Sequence, residues 1–166
     1  MSAVLSECGK YRYELERQIA PLLNDWHKPV VFIGVNPSTA DADTDDATIR
    51  KMSGFTLRWG FTRFMVGNVF AYRSTDVTQL PARHDAVGPE NMGHLHSMIQ
   101  NAAFVVPCWG NTNKVPKSHR VQFTIVRTLL QVHQVPVRIF GLTNGGDPLH
   151  PLMLSYDTPL QEWSKL

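Results

Sequence analysis

Pro29-Val30-Val31-Phe32-Ile33-Gly34-Val35-Asn36-Pro37-Ser38 is the stretch on which the fold turns. It is a short apolar run that stops on a glycine and an Asn-Pro break, the pattern of a strand delivered into a loop. Three more runs behave the same way: 64–67 ends on Asn68, 104–106 leads to Trp109-Gly110-Asn111, and 137–141 leads to a loop holding His150-Pro151. Between them lie segments with helical spacing. Ile49, Met52, Phe55 and Trp59 follow Asp45 and Asp46; Met92, Leu95, Ile99 and Ala102 follow Pro89 and Glu90; Val121, Ile125, Leu129 and Val132 follow Ser118. The order is β-α-β-α-β-α-β. Right-handed crossovers then place helices on both faces of the sheet. The expectation is an α/β chain forming one domain over residues 1–166, a three-layer α/β/α sandwich around a four-stranded, mostly parallel sheet with strands near 29–34, 63–68, 103–108 and 136–141. Tyr11, Tyr13 and Leu15 alternate with Arg12, Glu14 and Glu16, which fits a short strand or the start of a helix.

A chain of 166 residues with 43% hydrophobic content has enough apolar surface for a real core, and its length fits one domain better than two. No run of about twenty apolar residues is present. The first residues lack the charged and apolar blocks of a signal peptide. A cytoplasmic protein with no membrane association is expected. Cys8 and Cys108 are the only cysteines, too few for a four-cysteine zinc or iron–sulfur site within the chain. His94 and His96 are two apart, a poor spacing for one helical metal face, so no metal and no cofactor are expected. The net charge of +2 permits a polyanionic partner without demanding one.

Parallel strands that end on one rim share a ligand site there, and the polar residues after each run supply its chemistry. Pro37 biases Asn36 toward an extended backbone, so the amide projects at the strand end. This loop has neither a Walker lysine nor a Gly-x-Gly-x-x-Gly pattern, which argues against the usual phosphate cradles. Asn68 carries donors and an acceptor suited to the edge of a nucleobase, and Phe70 or Tyr72 offers a stacking face, although a core position is the plainer reading of Phe70. Lys114, Lys117, His119 and Arg120 follow Trp109-Gly110-Asn111 closely, where they can meet a backbone phosphate. His150 can donate to an oxygen that turns negative in a transition state.

These blocks carry two resemblances. The runs 36–41, 45–50, 59–61 and 68–76 with His150-Pro151-Leu152 resemble domain of unknown function 1643 over most of the chain. Gly34-Val35-Asn36-Pro37 is similar to the Gly-Ile-Asn-Pro-Gly motif of the mismatch-specific branch of the uracil-DNA glycosylase superfamily, where the Asn positions the attacking water. Asn68 matches the Asn of a Leu-Leu-Asn motif that reads the flipped base; Trp109-Gly110 matches a Leu-Trp-Gly strand end; His150-Pro151 resembles the start of His-Pro-Ser-Pro-Leu, whose His stabilises the departing base. That superfamily has a four-stranded parallel sheet between helices. Three departures stand out: no acidic water-activating residue at Asn36, Ser38 in place of Gly, and Pro-Leu-Met-Leu-Ser in place of Pro-Ser-Pro-Leu-Ser.

The resemblance implies a DNA glycosylase-like enzyme, expected to be a monomer, that flips a damaged or modified base out of DNA and hydrolyses its N-glycosidic bond. Asn36 orients water, His150 stabilises the leaving base, and Asp41, with Asp43, Asp45 and Asp46 nearby, is a candidate base. Asn68, Phe70, Tyr72, Pro37 and Ser38 form the base pocket. Arg73, Trp109, Asn111, Lys114, Lys117 and Arg120 meet DNA, with Leu152 and Met153 as a wedge into the vacated stack. A hydrolase or transferase acting on free nucleotides or nucleosides, and a non-catalytic module that binds a modified base, are the competing expectations.

Overall fold

The computed structural model describes residues 2–20, 28–38 and 45–164. At its centre is β3 (Val30–Gly34), whose first four residues are all buried. It lies between two parallel neighbours, β4 (Arg63–Asn68) and β5 (Phe104–Pro107), with Val30 level with both Phe64 and Phe104. Gly34 is level with Asn68, so the loops after these strands leave the sheet at the same rim.

The sheet is five-stranded and mixed, not the expected four-stranded and mostly parallel one. Its order is β1-β2-β4-β3-β5, where β1 (Ser2–Leu5) and β2 (Arg12–Gln18) add to β4 by antiparallel pairing. The alternating stretch at residues 11–16 is therefore strand, held by pairings such as Leu15 with Val66. The fourth expected strand is reduced to one parallel rung between Val105 and Val137. Pro136 O accepts from Val105 N, but Val137 O takes the N–H of Trp163, and β6 (Arg138–Ile139) pairs with β7 (Gln161–Glu162) in a separate two-stranded ladder.

The β1–β2 ladder contains an irregularity that matters for the site. Val4 faces Glu14 whereas Leu5 faces Arg12, so β2 has one extra residue at Tyr13. A bulge of this kind shifts the alternation of side chains by one. Arg12 thereby comes to the same face as Leu15 and Arg17, while Tyr13 stacks on His94 with ring centroids 4.7 Å apart.

Both faces of the sheet are covered. Val30, Phe32, Phe64 and Val66 pack with Ile49, Met52 and Phe55 of α1 (Ala47–Arg58), and Leu149, Leu154 and Tyr156 close the same cluster. Val31, Ile33 and Val105 pack with α3 (Asn91–Gln100) and α4 (Val121–His133), and the short α2 (Arg83–Val87) adds Ala86 there. A Cβ on Gly67 would stand 2.8 Å from Leu95, so α3 lies directly on β4.

The inward face of α4 differs from the one read from helical spacing. Phe123, Val126 and Leu130 are buried, whereas Val121, Ile125 and Val132 are exposed. Two apolar stripes overlap on this helix, and the aromatic one prevails because Phe123 packs against both Phe70 and Trp109. Leu130→Ala should cost about 2–5 kcal/mol of unfolding free energy, as expected for emptying a filled core position. Val132→Ala should stay within about 0.5 kcal/mol. Denaturant melts of the two variants check the assignment; equal losses would reverse it.

Candidate functional site

A cavity of about 430 Å³ opens at the rim where β3 and β4 end. It collects side chains from separate segments of the chain: Arg12, Asn36, Asp46, Asn68, Lys114 and His150. Met52 and Val66 give it an apolar floor.

Asn68 occupies the end of β4 and is 3% exposed. Its Oδ1 lies 2.9 Å from the place a Cβ on Gly34 would take, so any larger residue at position 34 would displace it. Asn91, fully buried at the start of α3, donates to the carbonyls of Asn68 and Val69 at 3.0 and 3.2 Å and fixes the strand end from behind. The Asn68 amide nitrogen itself has no hydrogen-bond partner among the described residues. An unmet buried donor costs about 1–3 kcal/mol, a penalty relieved by a ligand that presents an acceptor.

Asn36 is oriented by its own amide. Nδ2 donates to Ser74 O at 2.7 Å and to Pro37 O at 3.1 Å. With both protons engaged, Oδ1 is the polar atom left for a ligand or water. Pro37 is buried, and Ser38 donates from Oγ to Asp46 Oδ2 at 2.7 Å.

Asp46 caps α1, accepting from Ile49 N at 2.9 Å on Oδ1. Burial works to raise its pKa, but the Ser38 hydroxyl, the N–H groups of Ile49 and Thr48, and the charge of Arg12 outweigh it and hold the carboxyl below its ordinary value. It is an anion at neutral pH. Its oxygens already accept hydrogen bonds, which fits an electrostatic role better than proton abstraction.

His150 heads the short turn Pro151–Met153, and its Nδ1 accepts from Leu152 N at 3.3 Å. An acceptor at Nδ1 leaves the proton of the neutral ring on Nε2. His150 is an exposed residue, yet the protein packed around it lowers its pKa, opposed by nearby Asp46. The loops bearing Lys114 and His150 are tied together. Thr112 donates from N and Oγ1 to Asp147 Oδ2 at 2.9 and 3.0 Å, and Gly110 N donates to Pro148 O at 2.9 Å.

Asn36, Ser38, Asp46, Asn68, Lys114 and His150 are thus the residues expected from sequence that share the cavity. Phe70 and Trp109 do not reach it; they are core residues at 0% and 4% exposure, leaving neither ring a face for a base or for DNA. Tyr72 and Arg73 line an adjoining recess. Asn111 is exposed and caps its own turn through Asn113 N. Arg120 bends back onto the carbonyls of Val115 and Asn113. Lys117, Leu152 and Met153 are exposed outside the cavity lining. Asp41 and Asp43 lie outside the described residues, and Asp45 pairs with Arg17 at 2.7 Å. Arg12 and Asp147 carried no signal in the sequence: the first depends on a bulge and the second on two loops meeting. Among the described residues no group of three or more His, Cys, Asp or Glu is placed to hold a metal ion, and no helix is long and apolar enough to cross a membrane.

The family model described as "Protein of unknown function (DUF1643)" matches residues 12–152, and the chain belongs to that family. No curated protein and no solved structure matches it.

The electrostatics of the cavity have a sign that can be checked. The His150 ring should titrate below about 6.5, the unperturbed imidazole value. Asp46→Asn keeps an effective helix cap but removes the charge that favours the imidazolium, so the midpoint should fall further. Because the folded pKa is depressed, the stability linked to His150 is complete above about 6.5 and is lost as pH falls through the folded value. NMR titration of the ring in both proteins measures this; a midpoint that rises in Asp46→Asn would refute the arrangement.

Proposed function

We propose that this family member hydrolyses the N-glycosidic bond of a base flipped out of DNA. The observation that carries the reading is the convergence of Asn36, Asn68 and a neutral, Nε2-protonated His150 on one cavity at the strand ends. The parallel trio β4-β3-β5, with its chemistry in the loops that follow, supports kinship with the uracil-DNA glycosylase superfamily.

Each group suits one need of the reaction. As the C1′–N bond breaks, its electron pair leaves with the base, and the sugar becomes positively charged. His150 Nε2–H donates to the base as its negative charge grows, the kind of donor whose loss costs about 10²–10³ in rate. The Asp46 carboxylate, held ionised beside Arg12, favours positive charge on the sugar. Asn36 Oδ1 accepts a hydrogen bond from the water whose oxygen bonds to C1′, and the water's proton passes to solvent. Asn68 presents its unmet donor to an acceptor on the edge of the base. A base must leave the stack to enter such a cavity, at a cost of a few kcal/mol that is least for damaged or mispaired bases. A damaged or modified base is therefore the substrate class.

Incubation with DNAs carrying normal and modified bases, with mass spectrometry of the released bases, tests the activity. On a base so identified, His150→Ala should slow single-turnover release by about two to three orders of magnitude with little change in DNA affinity. Asn36→Ala should likewise reduce turnover more than binding, and Asn68→Ala should weaken discrimination among bases. Release by both the Asn36 and His150 variants at the unaltered rate would overturn the mechanism.

A further inference from the structure

A second recess, of about 460 Å³, adjoins the cavity and shares Ser38 and Thr75 with it. Its walls come from the turn between β1 and β2, through Gly9 and Lys10, and from the segment after β4, through Tyr72, Arg73 and Ser74. Among the described residues no carboxylate lines it, and neither Lys10 nor Arg73 has an ion-pair partner. Among the described residues the Arg73 guanidinium donates to Gly9 O, at a long 3.4 Å. The backbone beneath these cations is held by hydrogen bonds: Arg73 N donates to Lys10 O at 2.9 Å, and Ser74 N donates to Pro37 O at 3.0 Å. The recess is thus attached directly to the loop that holds Asn36, whose Nδ2 bonds Ser74 O.

From this placement we infer that the recess is a phosphate subsite, in which Lys10 and Arg73 hold a phosphate of the nucleotide whose base enters the cavity. The inference rests on the nucleobase reading of the cavity and deepens it. Among the described residues the recess holds two cations, an exposed Lys10 and a half-buried Arg73, and no acidic neighbour, which suits an anion, and phosphate is the anionic group a nucleotide carries. Lys114 belongs to the cavity lining and comes from a different loop. Cationic groups from separate segments therefore serve one site, an arrangement that fits a chain with phosphates on each side of the bound base. The source to which the inference commits is a phosphodiester of a polynucleotide.

The test is binding of a fluorescent single-stranded oligonucleotide and of nucleoside 5′-monophosphates, over a range of salt, by the wild type, Lys10→Ala/Arg73→Ala and the charge-keeping Lys10→Arg. Lys10 is exposed and Arg73 half-buried, and the pairing between them uses backbone atoms, so the double variant should fold; its thermal melt verifies this. The expected result is weaker oligonucleotide binding by the double variant, with a log–log salt slope shallower by about 0.7 for each phosphate that is no longer neutralised. Lys10→Arg should keep the wild-type slope. Oligonucleotide binding that is unchanged in affinity and slope in the double variant overturns the subsite and leaves the DNA reading standing. Failure of the wild type to bind the oligonucleotide, with monophosphate binding that depends on Lys10 and Arg73, upholds a phosphate subsite and overturns the DNA reading. If neither ligand binds the wild type, both readings fall.

Discussion

The Asp46 carboxylate is the charge around which the site is organised. It caps α1, takes the Ser38 hydroxyl, sits in the field of Arg12 and raises the basicity of His150 against the effect of packing. A half-buried carboxylate is costly unless hydrogen bonds and opposite charge compensate for lost water. Here the compensation comes from three parts of the chain: the helix start, the loop after β3, and β2. The cap alone is worth about 1 kcal/mol to the helix. The same hydrogen bonds that settle the charge bring the loop holding Asn36 and Ser38 against the first turn of α1. Stability and site geometry are consequently supplied by one set of interactions.

The mixed sheet provides what a purely parallel one would lack. The carboxyl ends of parallel strands and the loops after them supply Asn36, Asn68 and Lys114. Arg12 arrives from an antiparallel strand, and only because the extra residue at Tyr13 returns it to the α1 face. Without the bulge, Arg12 would lie on the opposite side of the sheet and Asp46 would lose an opposing charge. On the other side of the site, Asp147 links the turn at Thr112 to the segment that ends at His150. That link leaves the imidazole's place dependent on two loops rather than one.

Much of the site is legible in the sequence because it depends on local rules. A strand that stops on Asn-Pro, or on Asn68, declares both its end and a side chain that projects there. Three such strands running parallel must deliver their loops to one rim. The misreadings have equally physical causes. The resemblance places Phe70 in the base pocket and Trp109 on DNA, although a core position is the plainer reading of Phe70 by itself; aromatic rings serve cores and binding faces alike, and packing against Phe123 and Trp163 assigns these two to the core. On α4 the spacing of Val121, Ile125 and Val132 is as good a helical stripe as that of Phe123, Val126 and Leu130, and periodicity cannot rank two overlapping stripes. Arg120 sits in a cationic cluster by sequence, yet its guanidinium is spent on loop carbonyls.

What the sequence determined by itself is the set of elements and the chemistry at their ends: β3, β4 and β5, the helices between them, the acidic start of α1, the strand-end places of Asn36 and Asn68, and the loop place of His150. These follow from hydrophobic periodicity and turn chemistry, which act over a few residues. Tertiary structure alone decided that the sheet is mixed, that Val137 makes a single rung, that Arg12 faces the cavity and that Asp147 joins two loops. Each of these depends on pairing between segments far apart in the chain, where register and the competition for backbone hydrogen bonds are settled only when the partners meet.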